Sequence, residues 1–185
     1  MTKRKVLIPL DGSDFSKQIL PYVIKFLSPQ MVELVLMHAA QHPSGLTGKP
    51  TRPASAEVPV PMYETARDVE YTMHPVYASQ ELESRLARFL DELNTDAARL
   101  REAGYTVYTA VKFGDPKQEI VDFILDEDID MVAMTTHGRS GLSRLIAGSV
   151  AEYVMRHAAV PVMMLRPIEV SADLMREAEV EGVTR

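Results

Sequence analysis

Five short runs rich in aliphatic and β-branched residues, with helical patterns between most of them, are what most restricts how this chain can fold. They are Lys5–Leu10, Val32–Ala39, Tyr105–Val111, Met131–Thr135 and Val160–Leu165. The first, fourth and fifth are nearly continuous apolar runs, as expected of parallel strands covered on both faces; the strict alternation of a half-exposed antiparallel sheet is mostly absent. Between them, Ser13 or Asp14 can cap a helix with an apolar face of Ile19, Leu20, Val23, Ile24 and Leu27, and Pro21 should kink that helix by removing a donor. From about Ser79 to Ala103, Leu82, Leu86, Phe89, Leu93, Ala97 and Leu100 recur at spacings of three and four, and Gly104 follows as the residue beyond the C-cap. Asp115-Pro116-Lys117-Gln118 is a strong helix start, and Ser149-Val150-Ala151-Glu152 repeats the capping-box pattern before the last run.

The predicted order is β-α-β-α-β-α-β-α-β. It implies an α/β fold: an open, doubly wound, five-stranded parallel sheet with right-handed crossovers and helices on both faces. At 185 residues the chain suits one domain, expected over residues 1–166, with a charged tail over 167–185. Residues 41–78 read as a Pro-rich insertion or long loop, since they hold Pro43, Pro50, Pro53, Pro59, Pro61 and Pro75 without lasting periodicity.

Composition removes several function classes. Twenty Lys and Arg against 26 Asp and Glu leave a net charge of −6, which argues against a general nucleic-acid or anionic-membrane binder. No cysteine is present, so thiol nucleophiles, iron–sulfur clusters and thiolate zinc sites are out of reach. The five histidines lack ligand spacing, and no dedicated metal site is expected. The first apolar run is too short for a signal core and no apolar stretch is long enough to span a bilayer, so a soluble, cytoplasmic protein is the expectation.

Chemistry concentrates after the fourth run. Residues 131–151 contain no acid yet carry Arg139 and Arg144, a local reversal in an acidic chain. Gly138 and Gly141 let backbone amides approach a ligand, and the helix opening at Ser149 offers unpaired N–H groups and the positive end of its dipole. On spacing alone, glycines that merely turn the chain and a serine that merely caps a helix are an equal reading. Placement after the fourth strand of a doubly wound sheet favours a ligand, because ligands there sit beyond the carboxyl ends of the strands where strand order reverses. The first run ends in Pro9-Leu10-Asp11-Gly12-Ser13, so Asp11 would face the same crevice if the first and fourth strands are neighbours. Asp-Gly is equally an ordinary turn starter.

At these residues the chain resembles the universal stress protein family, and its nucleotide-binding branch in particular. That branch carries Gly-x2-Gly-x9-Gly-Ser/Thr after the fourth strand; Gly138, nine residues, and Gly148-Ser149 match its second half, while Thr135 stands in place of the first glycine. A β-branched residue at that point disfavours positive φ and adds bulk, and its hydroxyl can donate to a phosphate oxygen. The resemblance covers about residues 3–40 and 80–166 and includes Pro9-x-Asp11 and His38-Ala39. It implies strand order 3-2-1-4-5, a homodimer joined through the Val160–Leu165 edge, and an ATP-type ligand, with or without magnesium. Adenine and ribose would lie near Pro9, Asp11 and Ala39, Met134 and Thr135 beside the ribose and α-phosphate, and the phosphates over Gly138, Arg139, Gly148, Ser149 and Val150.

No Walker-type loop, dinucleotide fingerprint or nucleophile elbow occurs, so no catalytic residue is assigned; binding with at most slow ATP turnover is expected. The function implied is a dimeric stress-response sensor or regulator that binds ATP or a related adenine nucleotide and acts on an unknown protein partner. The alternative is a dimeric interaction module of the same fold that binds no nucleotide. Thr135 fits that alternative, as does Glu152, a first-turn carboxylate that would repel phosphate.

Overall fold

A computed structural model of the chain describes residues 3–42, 75–136 and 148–167. The strands are β1 (Arg4–Pro9), β2 (Val32–Ala40), β3 (Thr106–Phe113), β4 (Met131–Thr135) and β5 (Val162–Leu165). The helices among the described residues are α1 (Asp14–Lys17), α2 (Ile19–Phe26), α3 (Pro75–Glu102), α4 (Pro116–Asp126) and α5 (Ser149–His157). All strand pairs are parallel and the sheet order is β3-β2-β1-β4-β5, the doubly wound arrangement expected.

Alternate residues of each strand feed two separate apolar layers. On one face Val6, Ile8, Leu34 and Leu36 pack with Ile19 and Val23 of α2 and with Leu93, Ala97 and Leu100 of α3. On the other, Leu7, Val35, Met37 and Val132 pack with Ile120, Phe123 and Ile124 of α4 and with Ala151 and Val154 of α5. Strands covered on both faces have no polar side, which is why β1 and β4 read as unbroken apolar runs.

Several local expectations change. The first helix is split rather than kinked: α1 stops at Lys17 and α2 begins at Ile19. Pro21 lacks the N–H that would bond the Lys17 carbonyl four residues back, and its ring crowds that carbonyl, so the break falls there and Pro21 sits in the first turn of α2 where no donor is needed. Ile24, expected inward, is exposed, as is Leu86 at the edge of the α3 face. α3 begins at Pro75, a residue suited to the first helical position, and so absorbs the end of the expected 41–78 insertion. Residues 43–74 of that insertion, and the tail after Pro167, lie outside the described residues. Pro161 precedes β5, which starts two residues later than its apolar run, while its carbonyl accepts from Val132 N–H at 3.0 Å.

Gly104 adopts φ +92 at the end of α3, where a side chain would be strained, and turns the chain into β3. The next residue, Tyr105, is buried and its hydroxyl donates to the carbonyl of Leu27, which closes α2. Burial pushes the Tyr105 phenol above its ordinary value, because the phenolate is poorly solvated there. A folded value above the unfolded one gives stability that is fully present below about pH 10 and is lost as pH climbs through the folded value. Urea midpoints between pH 8 and 11 should therefore fall at the alkaline end, and Tyr105→Phe should flatten that fall; an unchanged alkaline slope contradicts the assignment.

Candidate functional site

The site arises where two strands part. β1 pairs with β2 as far as Pro9↔Met37, but its pairing with β4 ends at Leu7↔Val132. β4 runs on to Thr135 beside β5, with Thr135↔Leu165 in register. Beyond Leu7 each strand follows its outer neighbour, and a cleft of about 300 Å³ opens between their carboxyl ends. Pro9, Asp11, Ala39, Met134, Thr135, Gly148, Ser149 and Val150, all expected site residues, line it. Gly138 and Arg139, together with His137, Gly141 and Arg144, lie outside the described residues.

One wall is the turn after β1. Asp11 Oδ1 accepts from the Ser13 N–H at 3.0 Å and from the Ser13 hydroxyl at 2.6 Å. Ser13 caps α1 by accepting from the Ser16 N–H at 3.1 Å, so of the two expected caps it is Ser13 that serves. The Ser16 hydroxyl donates to the Ser13 carbonyl at 2.8 Å and accepts from the Asp11 N–H at 3.4 Å. Gly12, at φ +80, supplies the backbone bend that lets Asp11 fold back onto Ser13. Asp11 thus starts the turn, as Asp-Gly can, and also lines the cleft.

The opposite wall is the start of α5. Ser149 is its first helical residue, and Gly148, not Ser149, is the N-cap, with no side-chain capping bond. The intrahelical ladder begins with Glu152 N–H to the Gly148 carbonyl at 2.9 Å, so the amides of Ser149, Val150 and Ala151 precede it. The Gly148 amide is spent differently: it donates to the carbonyl of Thr136, joining the two points between which residues 137–147 run. That leaves Gly148 as part of the cleft wall, with three amides after it that have no intrahelical partner. Glu152, read from the sequence as a capping-box acid, accepts instead from Arg156 at 2.6 Å on the exposed side of α5. Its charge is paired with a cation one turn on.

Thr135 is buried in β4 and shows no positive φ, so the replacement of the motif glycine costs no backbone strain. The following Thr136 N–H donates to the Leu165 carbonyl at 2.8 Å, extending the β4–β5 ladder to the rim of the cleft. Ser16, Thr136 and Ala151 also line the cleft, as do Pro116 and Ile120 of α4. The last two carried no ligand signal in the sequence, where Pro116 marks only a helix start; the layer that α4 shares with α5 puts them there. His38 is buried on the other side of the sheet, stacked on Phe89 at 3.9 Å. Among the described residues no group of three or more His, Asp or Glu could hold a metal ion.

An apolar slot of Pro9, Ala39, Ile120 and Met134 beside helix-start amides that have no intrahelical partner suits a flat ring joined to an anion. The family model described as universal stress protein family matches residues 3–166. The chain belongs to the universal stress protein family. It is similar to a universal stress protein of Methanocaldococcus jannaschii, 27% identical over 169 residues, covering 88% of this chain and 82% of that one. In fold it is similar to a family member from Arabidopsis thaliana with AMP bound, with a TM-score of 0.56 at 20% identity, covering 92% and 94% of the two chains. It is similar also to a universal stress protein from Archaeoglobus fulgidus in complex with dAMP, with a TM-score of 0.50 at 16% identity, covering 89% and 98%.

The Asp11 turn yields a stability test. Asp11→Ala removes the oxygen that accepts both hydrogen bonds from Ser13 and should lower stability by about 1 kcal/mol, as loss of one helix cap does, whereas Asp11→Asn keeps an acceptor oxygen and most of that stability. Denaturant midpoints of the two variants decide it; equal losses would show that the Ser13 bonds carry no weight.

Proposed function

We propose that this universal stress protein binds ATP or a related adenine nucleotide in the β1–β4 cleft and works in the cytoplasm as a homodimeric stress-response sensor or regulator. One observation carries the proposal: the amides of Ser149, Val150 and Ala151, which precede the intrahelical ladder of α5, belong to residues that line an apolar cleft at the point where strand order reverses. A hydrogen bond to a charged acceptor contributes roughly 1.5–3 kcal/mol, so three such donors can hold phosphate without a dedicated lysine. Relatives of the same fold bind AMP and dAMP, which favours an adenine base in the slot. Gly138 and Arg139 join the phosphate side on the strength of their place in the sequence motif alone. Magnesium, where it accompanies ATP, would be held chiefly by the phosphates.

Binding rather than turnover is part of the proposal. Asp11, the acid of the cleft wall, is committed to Ser13, and the sequence carries no phosphoryl-transfer motif. The dimer rests on β5, the outer strand of the sheet, whose Val162, Met163, Met164 and Leu165 are all half-buried. A second copy pairing along that edge would cover apolar side chains on both faces. The second reading, an interaction module without nucleotide, is favoured by the Thr135 side chain in a cleft wall where the motif has glycine.

Ser149→Glu separates binding from stability. A carboxylate at the first helical position complements the α5 dipole and should raise stability by about 0.3–1 kcal/mol. The same charge faces the phosphates and should weaken ATP, measured calorimetrically with magnesium, by about tenfold or more. Equal ATP affinity in variant and wild type overturns the phosphate assignment; no heat and no thermal shift in either favours the interaction module.

A further inference from the structure

The turn that walls the cleft is built on a helix of a single turn. α1 spans only Asp14–Lys17, and so short a helix does not hold itself together, because fixing the first turn is the unfavourable step of helix formation. Ser13 and Ser16 secure its cleft-facing side. Its last residue, Lys17, reaches the other way: Lys17 Nζ lies 3.1 Å from Asp96 Oδ2. Asp96 sits on α3 among Leu93, Ala97 and Leu100, which face the sheet, and is only 3% exposed, while the Lys17 side chain keeps 33%. A carboxylate so deep in an apolar layer needs a fixed cationic partner, and Lys17 is the partner the structure gives it.

We propose that Lys17 and Asp96 form a positioning strut for the cleft: the pair anchors α1 to α3 and thereby holds Asp11 and Ser16 in the wall they make. Neither residue lines the cleft, so the strut acts through the turn and not by contact with ligand. α3 begins at Pro75, directly after the 43–74 segment, so the strut also links the helix carrying that segment's C-terminal end to the ligand wall. The part that concerns nucleotide rests on the function proposed above; the part that concerns the turn does not.

Charge and geometry predict opposite signs for one substitution. Asp96→Asn removes a negative charge from the neighbourhood of a polyanion, and by Coulomb's law alone it would tighten ATP. If the strut positions the wall, ATP binding weakens about tenfold once the ordered turn falls to about a tenth of the population. Amides of residues 11–17 then exchange hydrogen faster while those of β1 and β2 do not change, and Lys17→Arg, which keeps the pair, stays within about twofold of wild type. Lys17→Met gives the same reading should Asp96→Asn not fold. The full chain is titrated with magnesium-ATP well below the melting range of every variant. Unchanged or tighter ATP binding with unchanged exchange at residues 11–17 overturns the strut. If the wild type takes no ATP, the nucleotide reading falls, and exchange at residues 11–17 still decides whether the pair holds the turn.

Discussion

Everything in the site depends on how β1 is shared. It is the central strand, with Val6, Leu7 and Ile8 almost wholly buried, and it must pair with β2 on one side and β4 on the other. It cannot follow both to the end. The chain runs outward from β1 to β3 on one side and returns to lay β4 and β5 on the other, so strand order reverses at β1. There the ladder to β4 ends at Leu7↔Val132 while the ladder to β2 goes on to Pro9↔Met37. The gap is therefore a consequence of connectivity, and it opens at the carboxyl ends because right-handed crossovers start the following helices there.

Two helix beginnings then give the gap its chemistry. The β1 end turns at once into a short, self-bonded Asp11–Ser16 unit whose acceptors face inward to Ser13. The far side enters α5 through Gly148, an N-cap with no side chain to occupy the first amides. A serine or aspartate at that cap would have answered one of those donors itself. An acidic chain of net charge −6 thus keeps one small region where the backbone, and not a cluster of lysines, supplies the positive end. The Glu152–Arg156 pair keeps the nearest helical acid engaged away from it.

Much of this was legible in the residues. Parallel strands buried on both faces announce themselves as unbroken apolar runs, and strong caps such as Asp115-Pro116 fall where the structure has them, with Asp115 accepting from the Lys117 N–H at 3.1 Å. The strand order came from resemblance to a family, since nothing in local pattern states which strand lies beside which. What escaped reading depended on partners distant in sequence. Serine before an i+3 glutamate looks like a capping box, but the cap is Gly148, whose amide donates to Thr136, and the glutamate pairs with Arg156. Pro116 and Ile120 reach the cleft only because α4 lies on the same layer as α5. Asp96 lay in the buried register of a helix otherwise apolar at those positions, and only the fold shows Lys17 beside it.

The central claim is that the amides of Ser149, Val150 and Ala151 receive the phosphates. Nitrogen-15 labelled protein titrated with magnesium-ATP tests it residue by residue. The account predicts downfield proton shifts at those three amides that saturate together, at the affinity found by calorimetry, with much smaller changes at the Gly148 amide already held by Thr136. Saturable binding that leaves the three amides unmoved would contradict it.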